Sequence, residues 1–416
     1  MKRIMLCALL CLCLGGCNGG MYRDMREIES FEIVQTLGVD YENGLYTVTA
    51  ATGTGSGGQV TVLTAQSVTP ARAMQKMQNY STKKYIFFGH TANYLVGEAA
   101  AEHDLSACLE YVERGFDIRL DTNLFIVRGG TAGEAIAKAS ENGESVNEHL
   151  LALEKDVQIL SENHICDCGD IAEELAADGS AVITAISLWE NENVPVGENK
   201  KSVQVVGSAV IKDCRLAGYA DVDTSRGITL LMNRFVTDSA ELPDGNGSYM
   251  AVELTEGKTK YDARFDDDGI RKIIINVSLQ GSISEMESPV NIYDDRVIDE
   301  IERVLAKQEL DRIVNVIELS RRLETDFLEL ERELDMKHPV KLRRARADDW
   351  TQQLAETEIE VAVEVTVART YELGISPAEK EKRDSEGRED YVLAVCGSGG
   401  GVHVFADFAN AAQERT

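Results

Sequence analysis

The chain has 416 residues, of which 44% are hydrophobic and 27% are charged. These values are typical of a folded globular protein and exclude a disordered chain, and the length allows about two to four domains. The formal net charge of −29 means that the surface repels nucleic acid and anionic lipid headgroups unless basic residues are segregated into one patch. The longest basic run, at 341–346, lies next to Asp348 and Asp349, so the sequence argues against a nucleic-acid-binding protein.

An export signal is predicted at the start of the chain, where a basic beginning is followed by an apolar run from Ile4 to Leu14. This run is shorter than the roughly 20 residues that span a bilayer. A buried helix is the alternative interpretation, and it fits poorly because the segment has no polar face to orient it. Leu14-Gly15-Gly16-Cys17 resembles the lipobox of bacterial lipoproteins, which implies cleavage before Cys17 and diacylation of its sulfur.

The cysteines beyond Cys17 lack the pattern of a disulfide-rich protein. They are odd in number and widely spaced: Cys108, Cys166, Cys168, Cys214 and Cys396. We therefore expect no disulfide framework. On a strand, His164, Cys166 and Cys168 would share one face and could bind a metal ion. Zinc sites usually need a second ligand pair, which the neighbouring sequence lacks, so a turn with incidental thiols is favoured and no cofactor is predicted.

Predicted strands and helices alternate through the region after the anchor, which indicates an α/β arrangement. The clearest hairpin surrounds Glu42-Asn43-Gly44, where Asn and Gly tolerate a positive φ. After it we predict, in chain order, a strand at 60–67, a helix from Thr69-Pro70, strands at 85–88 and 92–96, a helix at about 99–114, a strand at 120–129, helical structure at 131–161, a helix at 170–177 and a strand at 181–190.

A polar run at 190–201 has turn residues and no periodicity, so we place a domain boundary there. Beyond it the sequence predicts four strands, at 202–212, 249–256, 270–281 and 357–373. In the last, Ile359, Val361 and Val363 share one face, which predicts a half-solvated strand antiparallel to its neighbour. Apolar residues at three- and four-residue steps over 297–334 predict one or two amphipathic helices. The C-terminal part is therefore an antiparallel-rich sheet packed by long helices.

The sequence carries no recognised catalytic or nucleotide-binding motif. No G-x-S-x-G, H-E-x-x-H, P-loop or dinucleotide glycine fingerprint is present. The glycine-rich stretch at 397–401 lacks the Lys-Ser/Thr ending of a phosphate-binding loop. Abundant carboxylates do not indicate acid–base catalysis, because on an acidic surface most of them are simply solvated. We therefore predict that the protein is not an enzyme.

Several short motifs follow one another in a specific order. In chain order they are Gly16-Cys17, Asp24-Met25-Arg26-Glu27-Ile28, the hairpin LGVDYENGLYTVTA, Phe88-Gly89-His90, Gly97-Glu98, the spaced residues Arg114, Ile118, Arg119 and Thr122, the strand ITAISLWE, and Trp350. This order resembles the Ger(x)C lipoproteins, the C subunits of GerA-type nutrient germinant receptors in spore-forming bacteria, over about residues 5–375. The chain departs from the family pattern by a short insertion before Arg26 and by lacking a tryptophan after Cys17.

The resemblance implies a mixed α/β (α+β) fold with three domains in an elongated arrangement. The expected organisation is a lipoprotein signal peptide at 1–16, a lipid-anchored tether at 17–30, an N-terminal mixed α/β region at 31–200 that is one domain or two split near 130–145, a C-terminal α/β domain at 201–375, and a charged, Gly-rich tail at 376–416. The boundary near 200 also follows from the polar run described above.

The resemblance also implies a function without catalysis. The protein would be anchored by lipid on Cys17 at the outer face of the spore inner membrane. It would work with a multi-spanning A-type subunit and a transporter-like B-type subunit in nutrient-triggered germination. The alternative, motivated by the lipobox and the acidic surface alone, is an envelope lipoprotein that binds a small ligand or acts as a hydrolase.

Three residues of the family motifs have two interpretations. Arg114 and Arg119 either present a basic docking spot or pair with Asp117 and Asp121 at the turn between helix and strand. The second interpretation is favoured because the opposite charges lie so close in sequence. His90, at a strand end, is interpreted as a structural histidine.

Overall fold

The computed structural model describes residues 30–52, 60–80, 85–115, 118–141, 145–190, 201–243, 249–266, 269–286, 294–347 and 349–368. The predicted signal peptide, Cys17, the polar run at 191–200 and the predicted tail lie outside the described residues.

Strands and helices alternate first and then separate into longer runs. The strands are β1 (Phe31–Glu42), β2 (Leu45–Thr52), β3 (Val62–Ser67), β4 (Tyr85–Phe87), β5 (Asn93–Gly97), β6 (Asn123–Val127), β7 (Ala181–Glu190), β8 (Lys201–Lys212), β9 (Arg215–Ala220), β10 (Asp238–Pro243), β11 (Tyr249–Asp266), β12 (Gly269–Met286) and β13 (Glu358–Ala368). The helices are α1 (Pro70–Tyr80), α2 (Glu98–Arg114), α3 (Ala132–Ala139), α4 (Val146–Leu160), α5 (Cys168–Asp178), α6 (Val222–Leu231), α7 (Asp295–Leu323), α8 (Leu330–Lys337), α9 (Pro339–Ala345) and α10 (Trp350–Glu356).

The first sheet is mixed and has the order β3-β2-β1-β5-β6-β7-β8-β9, with β4 beside β1. Strands β1, β5, β6 and β7 run parallel, because helices connect them, while the outer strands pair antiparallel. The β1–β2 hairpin closes through Asn43 (φ 51°) and Gly44 (φ 81°), with Glu42 opposite Leu45. The predicted hairpin is therefore confirmed, and so is the mixed α/β fold class.

Helices cover both faces of this sheet, which explains why its central strands are apolar on both sides. Alternate residues of β6 enter different cores: Leu124 and Ile126 pack with α1, α2 and α5, whereas Phe125 and Val127 pack with α3 and α4. The segment predicted to be helical, 131–161, forms the two helices α3 and α4.

The second sheet has the order β10-β11-β12-β13, and β11 and β12 form a long antiparallel hairpin. The prediction that the last strand is antiparallel to its neighbour is wrong, since β13 runs parallel to β12 along its whole length. Helices α7 to α10 lie between the two strands in the chain, and such a long crossover returns the chain to the end where β12 began. The alternation that identified β13 determines which face is buried and not the direction of pairing.

The helical segment predicted at 297–334 is interrupted between α7 and α8, where Glu324 and Glu329 have φ values of 50° and 55°. Between them, the buried Asp326 carboxylate accepts hydrogen bonds from the amides of Leu330 at 2.9 Å and Glu331 at 2.8 Å. These amides belong to the first turn of α8 and have no partner inside the helix. Asp326 therefore holds the start of α8.

The two sheets are joined by direct contacts. Strands β7 and β8 pair antiparallel from Ala181 opposite Ile211 to Glu190 opposite Lys201, so the first sheet contains strands from both sides of 191–200. Val182 and Val210 of this sheet belong to the core of the second sheet. The polar contacts include Ser180 and Thr325, whose hydroxyl oxygens lie 2.9 Å apart.

Candidate functional site

Cys17, the predicted lipid attachment site, lies outside the described residues. Among those that are described, no helix is long and apolar enough to cross a bilayer.

The structure places the three weak metal-site candidates just before and at the start of α5. The Cys166 thiol is buried, and Arg234 donates a hydrogen bond to its sulfur at 3.3 Å. Burial raises the pKa of Cys166 to about 12 and, together with the charge of Arg234, lowers the pKa of His164 to about 4. Cys168 is fully buried in the same core. Throughout the described part of the chain, no three His, Cys, Asp or Glu side chains are arranged to hold a metal ion.

The motif residues His90, Arg114 and Arg119 lie at the surface. Arg119 pairs with Asp121, as predicted. Arg114 pairs instead with Glu110 at 2.9 Å, one helical turn earlier, while its predicted partner Asp117 lies outside the described residues. His90 is exposed, and its ring contacts the ring of Phe87 edge-on with centroids 5.7 Å apart.

An open cleft of about 550 Å³ lies where α6, α7 and the edge strand β10 meet. Asp223 and Arg226 of α6, Arg312 of α7, and the β10 residues Ser239 and Glu241 are among the residues that line it. We define as the cleft network three charged residues that line the cleft and three carboxylates that pair with its arginines: Asp223, Arg226, Arg312, Glu162, Asp238 and Glu309.

Close helix packing positions the two arginines of the cleft network. The side chain of Asp221 caps α6 by accepting a hydrogen bond from the Thr224 amide at 2.8 Å. Gly227 then faces α7, where a Cβ atom would come within 2.8 Å of Val316 Cγ2. The absence of a side chain at this position allows α6 and α7 to approach, which brings Arg226 and Arg312 to the same acidic partner, Asp238.

Arg312 is the centre of the cleft network. Its Nε donates to Asp223 at 2.7 Å, and its Nη1 lies 3.4 Å from Asp238 and also contacts Glu309. The side chains of Asp238 and Glu309 are only 1% and 3% exposed. Arg226 adds a second guanidinium, 3.3 Å from Glu162 and 3.6 Å from Asp238.

Four carboxylates therefore surround two guanidinium groups in the cleft network. The pKa of Glu309 is raised to about 7, mainly because the side chain is buried; the charge of Arg312 opposes the shift, and the charges of Asp238 and Asp223 add to it. Burial also raises the pKa of Asp238, which both arginines oppose. The ion pairs link α6, α7 and β10, and separating these elements would leave charges buried without a partner, which is costly.

The sequence prediction missed every member of the cleft network. One signal was present: Glu309 lies on the face of α7 that also carries Leu305 and Ile313, so a carboxylate stands in the apolar stripe of an amphipathic helix. The partners of Glu309 come from distant segments, and no local pattern marks them.

A second polar contact ties the elements before 191–200 to those after it. Arg234, in the segment after α6, donates to the Glu174 carboxylate of α5 at 2.9 Å as well as to the sulfur of Cys166. Nearby, the Ser161 hydroxyl oxygen accepts hydrogen bonds from the amides of Val236 and Thr237, both at 2.8 Å. Residues from both sides of 191–200 therefore hold together the part of the molecule that contains the cleft.

Two models of known protein families together match most of the chain. A family model described as "Spore germination protein N-terminal domain" matches residues 24–188, and one described as "Spore germination B3/ GerAC like, C-terminal" matches residues 206–371. The chain is 23% identical over 375 residues to spore germination protein KC of Bacillus subtilis (strain 168), covering 83% of this chain and 91% of that protein.

The fold is similar to that of a solved structure, the crystal structure of the GerBC protein, with a TM-score of 0.53 and 16% sequence identity. The alignment covers 80% of this chain and 96% of the GerBC chain. The N-terminal model precedes the C-terminal one, which agrees with the order of the motifs in the sequence. This chain belongs to the Ger(x)C family of spore germination proteins and has a role in spore germination.

Proposed function

We propose that this protein is a non-catalytic subunit of a spore germinant receptor, anchored by lipid on Cys17 to the outer face of the spore inner membrane. The observation that carries the proposal is the order of the matched regions. A lipobox-like cysteine stands just before the first family model begins at residue 24, and the second model ends at residue 371.

The lipid would supply the attachment to the membrane. Each buried methylene contributes about 0.8 kcal/mol, and stable anchoring takes more than one acyl chain. A diacylated and amide-acylated Cys17 meets that requirement.

We propose that the partners are an A-type multi-spanning subunit and a B-type transporter-like subunit. Confinement to the membrane plane raises the effective concentration of a tethered protein beside such partners, so modest docking surfaces are sufficient. The relation to spore germination protein KC supports this assignment at the level of the family.

The proposal that the subunit is not an enzyme is supported by the state of the cleft network. Its buried carboxylates are paired with Arg312 or Arg226, and the side chain of Glu309 is almost inaccessible. A general acid or base must reach the proton that it transfers. The alternative, an envelope lipoprotein that binds a small ligand or hydrolyses one, is motivated by the open cleft, which Gln308 and Asn315 also line.

The anchor is tested by Cys17→Ala in the spore-forming host, with Cys13→Ala as the matched control within the predicted signal. We expect Cys17→Ala to move from the membrane to the soluble fraction, to lose co-purification with A-type and B-type subunits, and to slow nutrient-triggered germination. Cys13→Ala should behave as the wild type. Wild-type membrane retention of Cys17→Ala would contradict the anchor, and saturable small-ligand binding or turnover by the purified protein would favour the alternative.

A further inference from the structure

The turn from α8 to α9 is basic in a protein that is otherwise strongly acidic. Between Met336 and Ala347 there is no Asp or Glu, whereas the same stretch carries Lys337, Lys341, Arg343, Arg344 and Arg346. We define Met336, Lys337, Val340, Lys341, Arg343 and Arg344 as the basic corner. All six side chains are exposed.

The cations of the basic corner are unequally engaged. Lys337 pairs with Asp262 at 3.0 Å, and the ammonium of Lys341 lies 5.8 Å from the centre of the Phe265 ring. Arg343 and Arg344 form no ion pair with any residue that the structure describes. Their guanidinium groups can therefore bind an external anion without breaking an internal contact among those residues.

Apolar side chains accompany these cations. Met336 is 64% exposed and Val340 is 63% exposed, and within the described residues only Val68 is a more exposed large hydrophobic side chain. Leu342, one position before Arg343, is buried and fixes α9 against the second core. The turn therefore presents apolar and cationic side chains together on a rigid support.

We infer that the basic corner is a contact surface for a membrane containing anionic lipids. Cations favour anionic headgroups, and exposed Met and Val side chains next to them match the boundary between headgroups and acyl chains. A nucleic-acid backbone would use the cations and leave the apolar side chains unexplained. Charge on the protein more than about 8 Å away is largely screened at physiological salt, so the acids that weaken the attraction are the nearest ones, and Asp335 and Asp349 flank the stretch in sequence.

The inference deepens the proposed membrane anchoring and rests on it for location, because a lipid tether would hold the corner beside the bilayer. A lipid and a polybasic patch are complementary signals, and each basic residue near an anionic surface strengthens partitioning about fivefold. The basic corner would then orient the C-terminal part of the chain toward the membrane.

The test uses the chain without its signal segment, carrying Cys17→Ala so that no lipid contributes. Sedimentation is measured with vesicles of phosphatidylcholine alone and of phosphatidylcholine mixed with phosphatidylglycerol. We expect binding to the anionic vesicles only, weakened by added salt, and reduced at least tenfold in Arg343→Glu/Arg344→Glu. Met336→Ser/Val340→Ser should also reduce binding.

The matched control is Arg72→Glu/Arg215→Glu, which changes the net charge equally at two exposed arginines elsewhere. It should bind as the parent does, and thermal unfolding of all variants should confirm that they fold. The inference is overturned if the parent does not bind anionic vesicles or if the control loses as much binding as the corner variant. It is also overturned if Arg343→Glu/Arg344→Glu leaves vesicle binding unchanged and reduces only co-purification with another protein. None of these results bears on Cys17, which the cellular fractionation tests separately.

Discussion

The indole Nε1 of Trp350 donates a hydrogen bond to the carboxylate of Asp326 at 2.7 Å, and both side chains are buried. The same carboxylate accepts from the first amides of α8, so one side chain connects the start of α8 with the start of α10. Burial raises the pKa of Asp326 to about 7, and the hydrogen bonds from the amides and from Trp350 oppose the shift. Trp350, which belongs to the family pattern, therefore helps Asp326 to hold α8 and α10 together.

Replacing Trp350 with Phe should therefore be costly although the aromatic ring is retained. The change removes one donor from a buried carboxylate, and we expect a loss of about 1 to 3 kcal/mol in the free energy of unfolding. Urea denaturation measures this loss. Trp189→Phe is the matched control, because Trp189 on β7 is 42% exposed and its replacement should change stability by less than about 0.5 kcal/mol. Equal effects of the two variants would contradict the role of the hydrogen bond.

Arg312→Ala should be among the most destabilising single changes on α7. It would leave the buried carboxylates of Asp238 and Glu309 without their main cation, which costs about 3 to 5 kcal/mol. Arg303→Ala, on the same helix, breaks an ion pair with Glu300 nearer the surface and should cost about 1 kcal/mol or less. Chemical denaturation of both variants compares the two positions, and similar losses would argue against a buried network.

Glu309 should make stability depend on pH. Its folded-state pKa of about 7 lies above the value of about 4.3 for an exposed glutamate, so the folded state holds this proton more tightly than the unfolded state. Its contribution to stability is complete below about pH 4 and is lost as the pH rises to about 7. In Glu309→Gln this loss is absent. From about pH 5 to about pH 8 the wild type should lose on the order of 2 kcal/mol more than the variant, and parallel pH profiles would refute the assignment.

Gly227→Ala should push α6 away from α7. The new methyl group would meet Val316 Cγ2 at 2.8 Å, and overpacking of this kind costs about 1 to 3 kcal/mol. Val316→Ala should restore part of the loss when it is combined with Gly227→Ala, because it removes the clashing atom. A double-mutant cycle in urea gives the coupling, and additive effects would show that the contact is unimportant.

Local patterns in the sequence identify much of the fold, since strand alternation, the Asn43-Gly44 turn and the apolar stripe of α7 are each properties of adjacent residues. The direction of β13 could not be predicted this way, because parallel and antiparallel pairing present the same alternating faces. Asp40, part of the LGVDYENGLYTVTA motif, shows a similar limit. Its carboxylate accepts from the amides of Ala132 and Gly133 at 2.7 and 2.8 Å, a contact across 92 positions of sequence that no hairpin pattern reveals.

The cleft network was not predicted for the same physical reason. Asp223, Asp238 and Arg312 look like ordinary surface charges in sequence, and they become a site only because Gly227 lets two helices touch. The basic corner, in contrast, was visible as the run at 341–346. The nearby aspartates made it look neutral, and the structure shows instead how exposed Arg343 and Arg344 are.

The pairing of Glu190 with Lys201 has a practical consequence. The two residues are neighbours across one antiparallel ladder, so anything placed between them begins and ends at nearly the same point of the molecule. A fluorescent or affinity module inserted within 191–200 would therefore leave the register of β7 and β8 unchanged. It would give a reporter carried by the intact protein, far along the chain from Cys17.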